Sequence, residues 1–115
     1  MNTTSLGVQA EQFVAEELER LGYKILARNW KRRLCEIDII SCRDKIIVFV
    51  EVKYRSQAAQ GSGLEYITPK KLKQMKFAAE IWTSEHNWSG DYRLGVASVS
   101  SEDGRLKLEE LVEIN

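Results

Sequence analysis

Two apolar runs constrain this chain more than anything else in it. Glu36-Ile37-Asp38-Ile39-Ile40 and Val48-Phe49-Val50-Glu51-Val52-Lys53 carry three acids and a lysine inside sequence that otherwise reads as buried β-strand. The polar link Arg43-Asp44-Lys45 between them predicts a hairpin. With Asp44-Lys45 as a two-residue turn, Arg43 faces Ile46, Asp38 faces Glu51 and Glu36 faces Lys53. Side chains alternate along a strand, so Glu36, Asp38, Ile40 and Cys42 share one face, and Ile47, Phe49, Glu51 and Lys53 share another. Opposed side chains stand roughly 5 Å apart at Cβ. Two carboxylates so placed repel unless a cation bridges them, and a slip of one residue would part them.

Carboxylate oxygens without a companion His or Cys suit a hard ion, Mg²⁺ or Mn²⁺, over zinc. The main-chain carbonyl of Val52 could complete the shell. Bound metal acidifies a water and neutralises charge on a phosphoryl oxygen. Lys53 could orient or deprotonate that water, or stabilise the developing charge. The set suits phosphodiester hydrolysis. The spacing alone is weak, since an Asp followed by Glu-x-Lys arises by chance in roughly one chain in several. Placement inside adjacent apolar strands gives it weight. The competing reading is a structural ion pair of Glu36 with Lys53 at a sheet edge.

The 115 residues fit one domain, 1–115, with a single core. A composition 43% hydrophobic and 30% charged is that of a soluble globular protein, with no apolar run near the length of a membrane helix. Met1-Asn2-Thr3-Thr4-Ser5 lacks the basic and apolar stretches of a signal peptide, and Cys35 and Cys42 are too few for a disulfide framework. Both point to a reducing, cytoplasmic setting. A lone His86 argues against His-based metal sites and triads, and a net charge of zero against a global basic footprint.

Thr3, Thr4 or Ser5 can cap a helix running to about Leu21 and ended by Gly22, with Leu6, Ala10, Phe13, Val14, Leu18 and Leu21 as its apolar arc. Tyr23 to Asn29 reads as a strand, and Trp30-Lys31-Arg32-Arg33 as a basic turn. Arg55 to Ile67, containing Gly61-Ser62-Gly63, reads as a mobile loop. Thr68-Pro69 starts a second helix to about Glu85 that buries Leu72, Met75, Ala79 and Trp82. Asp91 to Val99 and Leu106 to Val112 read as closing strands around a turn at Asp103-Gly104. The order αβββαββ predicts an α/β fold with a central mixed five-stranded sheet flanked by helices.

Glu11 projects close to Val14 and Leu18, within the apolar arc of the first helix. It either reaches the carboxylate cluster or snorkels to water at the arc's border. Lys31, Arg32 and Arg33 precede the acidic strand, Arg55 follows Lys53, and Lys70, Lys71, Lys73 and Lys76 line the second helix. Lys70, Lys73 and Lys76 form a slanted stripe. These basic residues are either a solvated surface or phosphate contacts beside the metal site, with Tyr54 and Tyr66 as stacking candidates.

The chain resembles the restriction-endonuclease-like, or PD-(D/E)xK, superfamily. More closely, it resembles the YraN family (uncharacterised protein family 0102) of small bacterial proteins. The resemblance rests on Gly7 with Glu11, Gly22-Tyr23, Arg28-Asn29-Trp30, Glu36-Ile37-Asp38, and Val48-Phe49-Val50-Glu51-Val52-Lys53 with Arg55, and covers nearly the whole chain. It implies a core similar to archaeal Holliday junction resolvases and a nuclease role on DNA. Asp38 and Glu51 would be metal ligands, Lys53 the catalytic lysine and Glu11 the accessory helix glutamate. Glu36 would be a supporting or alternate ligand, and Arg32, Arg33, Arg55, Lys70, Lys71 and Lys73 would contact nucleic acid. A homodimer follows from analogy with resolvases. The chain departs from these patterns at Ile37, where the superfamily name has Pro, at Cys35, where Gly is expected, and at Gly95, where the family pattern suggests Asp. Two functions stand: a Mg²⁺- or Mn²⁺-dependent endonuclease, with branched or structured DNA as a candidate substrate, and a noncatalytic nucleic-acid-binding or assembly module on the same fold.

Overall fold

The computed structural model describes residues 5–55 and 67–114. Helix α1 (Leu6–Arg20) is followed by strands β1 (Lys24–Arg32), β2 (Cys35–Arg43) and β3 (Ile46–Tyr54), then helix α2 (Pro69–Glu85) and strands β4 (Asp91–Glu102) and β5 (Arg105–Ile114). The architecture is α/β with one five-stranded sheet in chain order, β1-β2-β3-β4-β5. Neighbours are antiparallel except β3 and β4, which run parallel across the α2 connection.

Local chemistry sets each boundary. Ser5 caps α1 by accepting from the Val8 amide at 3.2 Å. At the other end Gly22 adopts φ +95°, the Gly22 amide donates to Glu19 O and the Tyr23 amide to Leu18 O. That pairing closes the helix and turns Tyr23 back onto Leu18 in the core. Thr68 caps α2 by accepting from the Lys71 amide at 3.0 Å, with Pro69 in the first turn.

Each helix covers one face of the sheet. Ala10, Val14, Ala15 and Leu18 of α1 pack on Tyr23, Ile39, Val48, Val50, Ala97 and Val99. Met75, Ala78, Ala79 and Trp82 of α2 pack on Trp30, Ile37, Ile40, Ile47, Phe49 and Leu94. Leu72 is only half-buried, and Ala78 joins the core in its place. Burial on both faces explains why β3 is apolar almost throughout.

The β2–β3 hairpin has the expected register, Arg43 opposite Ile46 through Ile39 opposite Val50. Asp44 and Lys45 both take left-handed backbone, φ 53° and 63°, as a hairpin turn matched to strand twist requires. The first strand differs from expectation: Trp30, Lys31 and Arg32 belong to β1, and only Arg33-Leu34 turn the chain. Trp30 is buried against the α2 layer, and that packing extends the strand. The closing strands also run longer, to Glu102 and Ile114. The expected loop at 55–67 lies, apart from its end residues, outside the described residues. No described helix is long and apolar enough to cross a membrane.

Candidate active site

Simple alternation fails at one place in β2. Ile37 and Ile40 pack in the α2 layer, whereas Ile39 packs in the α1 layer. Residues 37 and 39 would share a face in a regular strand, so the strand must twist over at Asp38. The partner strand shows the same reversal, with Arg28 bonded to Gln12 of α1 and Trp30 buried against α2. Between them Asn29 sits at φ 51°, a conformation Asn tolerates better than most residues. The β2–β3 pairing ends at Ile39 and Val50, one rung before Asp38 and Glu51.

At that opening Asp38 Oδ2 accepts the Val52 amide at 2.8 Å, so a side-chain carboxyl satisfies a donor where strand pairing has ended. Glu51, only 6% exposed, lies on the other side of the gap. Burial, and then the neighbouring Glu51 charge, push the Asp38 carboxyl up to about 7. The Val52 amide opposes this, while a hydrogen bond between Asp38 and Glu51 and the charge of Glu11 add to it. Without a metal, Asp38 therefore titrates near neutral pH, well above the usual carboxylate range.

Two ammonium groups meet the same oxygen of Glu51. Lys53 Nζ lies 3.3 Å from Oε2, and Lys71 Nζ, from the first turn of α2, 3.4 Å. The expected contact of Lys53 with Glu36 is replaced by this one. Glu36 is exposed and stands opposite Lys31 of β1, because β2 has left β3 by that point. Glu11 is half-buried on α1 and bears on Asp38 through its charge. Among the described residues no group of three or more His, Cys, Asp or Glu is placed to hold a metal. A cation seated here would rest on the two carboxylates of Asp38 and Glu51, with main-chain or water oxygens completing the shell. The donors fit a hard divalent ion: both are oxygen, and a buried carboxylate, Glu51, lies beside a half-buried one, Asp38, whose raised proton affinity reflects a charge that a cation would offset.

The six expected nucleic-acid contacts divide. Arg33, Lys70 and Lys73 are exposed. Arg32 instead forms a forked ion pair with Glu85, 2.8 and 2.9 Å, and lies 4.7 Å over the Trp30 ring. That pair sits about 21 Å farther along α2 than Lys71, at the helical rise of 1.5 Å per residue. Arg55 lies 3.8 Å from Glu110 of β5 with its side chain 11% exposed. Lys71 turns inward to Glu51. Its inward aim has a sequence signal: position 71 shares a helical face with Met75, Ala78 and Trp82, whereas Lys70, Lys73 and Lys76 do not. Gln74, unremarked in the sequence, lines a pocket with Lys53, Thr68, Lys70 and Lys71. Tyr54 is exposed, and Tyr66 lies outside the described residues. Gly95 is buried on the α1 side, where an added Cβ would meet Val48 Cγ1 at 3.3 Å. A side chain there would point away from the layer that holds Glu51.

A family model described as "Uncharacterised protein family UPF0102" matches residues 10–99. A UPF0102 protein of Syntrophomonas wolfei is 37% identical over 93% of this chain and 94% of its own. One from Herpetosiphon aurantiacus is 32% identical over 96% of this chain and 94% of its own. A third, from Cytophaga hutchinsonii, is 35% identical over 84% and 86%.

Proposed function

The chain belongs to the UPF0102 family, and from that premise we propose that it is a divalent-metal-dependent endonuclease acting on DNA phosphodiesters, on a restriction-endonuclease-like fold. One observation carries the reading. Asp38 and Glu51 lie side by side where two strands part, with Lys53 at 3.3 Å from Glu51. Buried like charges are costly to maintain and recur where chemistry needs them. Asp38 and Glu51 would hold Mg²⁺ or Mn²⁺, with the Val52 carbonyl as a further donor and Glu11 reaching it through water. The ion supplies Lewis acidity toward the phosphoryl oxygen and a more acidic water. Lys53, half-exposed beside the pair, orients the attacking water and offsets charge developing on the phosphoryl group. Lys70, Lys73 and Arg33 remain open for backbone phosphates.

A second reading, a noncatalytic binding module, is favoured by one feature. Arg32 and Arg55 already have the acidic partners Glu85 and Glu110, which thins the basic surface on a chain of zero net charge. Labelled duplex, flap and four-way-junction DNA separate the two. The nuclease cuts at least one of them with Mn²⁺, not with chelator, and Lys53→Ala still binds DNA but no longer cuts it. Binding without cutting, insensitive to Mn²⁺ and to Lys53→Ala, leaves the module reading standing.

A further inference from the structure

Among the described residues, Lys71 brings a charged group to the carboxylate pair from the second half of the chain. Its backbone is fixed by the Thr68 cap, whose hydroxyl accepts the Lys71 amide at 3.0 Å. Electrostatically it is badly placed for the helix: the first turn of α2 has no acid and two lysines, where the positive end of the helix dipole disfavours cations. Glu51 offsets that, with Lys71 Nζ at 3.4 Å and Lys53 Nζ at 3.3 Å on the same Oε2. Two ammonium groups on one carboxylate oxygen carry the charge of one divalent cation, and all three cannot occupy that oxygen together. Beside them opens the pocket lined by Lys53, Thr68, Lys70, Lys71 and Gln74. Gln74 Oε1 is buried with no hydrogen-bond partner among the described residues. It lies one turn from Lys71 on the same side of the helix, an acceptor within reach of a lysine that leaves Glu51.

We propose that Lys71 is a second active-site lysine, which occupies Glu51 until a divalent cation takes that oxygen and then turns into the adjoining pocket to bind a phosphate oxygen of the DNA substrate. This rests on the nuclease reading and assigns the pocket to the substrate's phosphate. Lys53 stays at the carboxylate pair, and Gln74 accepts from the released ammonium and holds it beside the phosphate.

The two halves of the exchange have opposite signatures in Lys71→Met. Without DNA, titration with Mn²⁺ alone shows tighter binding than in the wild type, by several-fold, because a competitor for Glu51 is gone. At saturating Mn²⁺, affinity for four-way-junction DNA drops by roughly tenfold, one charge-assisted contact, and log affinity against log salt becomes less steep by about 1. Lys71→Arg restores the salt slope. A residue that merely braces Glu51 gives the reverse on the first measurement, weaker Mn²⁺ binding, and that result overturns the proposal. So does an unchanged salt slope in Lys71→Met. A wild-type protein that binds Mn²⁺ and cuts DNA while Lys71→Met matches it throughout overturns this inference alone. A wild-type protein that takes up no Mn²⁺ overturns the nuclease reading as well.

Discussion

Asp38→Asn should leave the metal-free protein more stable than the wild type at pH 8 and, on the nuclease reading, make the Mn²⁺-loaded protein at least about 10²-fold slower at cutting DNA. The gain follows from linkage. The native carboxyl is raised to about 7, against an ordinary value of 3.8 for the unfolded chain. Between those limits the folded protein holds a proton that the unfolded chain has released. Wild-type stability therefore falls as pH rises from about 4 to about 7 and is level on either side. Asn has nothing to titrate there and can still accept the Val52 amide through its carbonyl oxygen. After allowance for partial exposure, the two proteins should differ by on the order of 1–2 kcal/mol at pH 8 and converge near pH 4. Urea denaturation across pH measures this. Mn²⁺ should restore the wild type at pH 8, through binding to the native state, and leave the variant unchanged. Parallel pH profiles for the two proteins would remove the buried like-charge pair from the account.

Phe49→Ala has the largest expected effect on folding. Phe49 is fully buried in β3, with the Trp82 ring 5.7 Å away at 76° and the Tyr92 ring 5.6 Å away at 86°. Both contacts are edge-to-face, an arrangement that adds to simple burial. Truncation leaves a cavity between β3 and α2 and costs about 3–5 kcal/mol. That is a large share of the roughly 5–15 kcal/mol typical of a domain. The urea midpoint should fall with little change in slope. Phe49→Leu, which refills most of the space, should recover the greater part. A loss under about 1 kcal/mol for the alanine variant would mean that the α2 layer collapses onto the gap. Phe49 lies two residues before Glu51 in β3, so on the nuclease reading the alanine variant should also weaken Mn²⁺ binding.

The hairpin was legible in the sequence because its information is local. A polar link between two apolar runs fixes a two-residue turn, and the turn fixes the register from Ile39–Val50 to Arg43–Ile46. The helix ends were legible for the same reason, through Ser5, Gly22, Thr68 and Pro69. What escaped was decided across the fold. Arg32 reads as a free basic residue until α2 brings Glu85 beside it, and Arg55 until β5 brings Glu110. The reversal of faces at Asp38 depends on which layer claims Trp30 and Ile37, and strand alternation alone cannot foresee it. The proximity of Asp38, Glu51 and Lys53 was legible because a hairpin juxtaposes them. Lys71 joins them through a parallel crossover, and only its position on the apolar arc of α2 hinted at it.

The arrangement of the strands has a kinetic side. β1, β2 and β3 are joined by tight turns, as are β4 and β5, whereas β3 meets β4 only after α2 has crossed the sheet. Closing that long connection has the largest entropic barrier, so it comes late in refolding. Pulsed hydrogen exchange should find β2 and β3 amides protected before those of β4. The paired acids are then brought together before Lys71, which reaches Glu51 only when the second half of the chain docks.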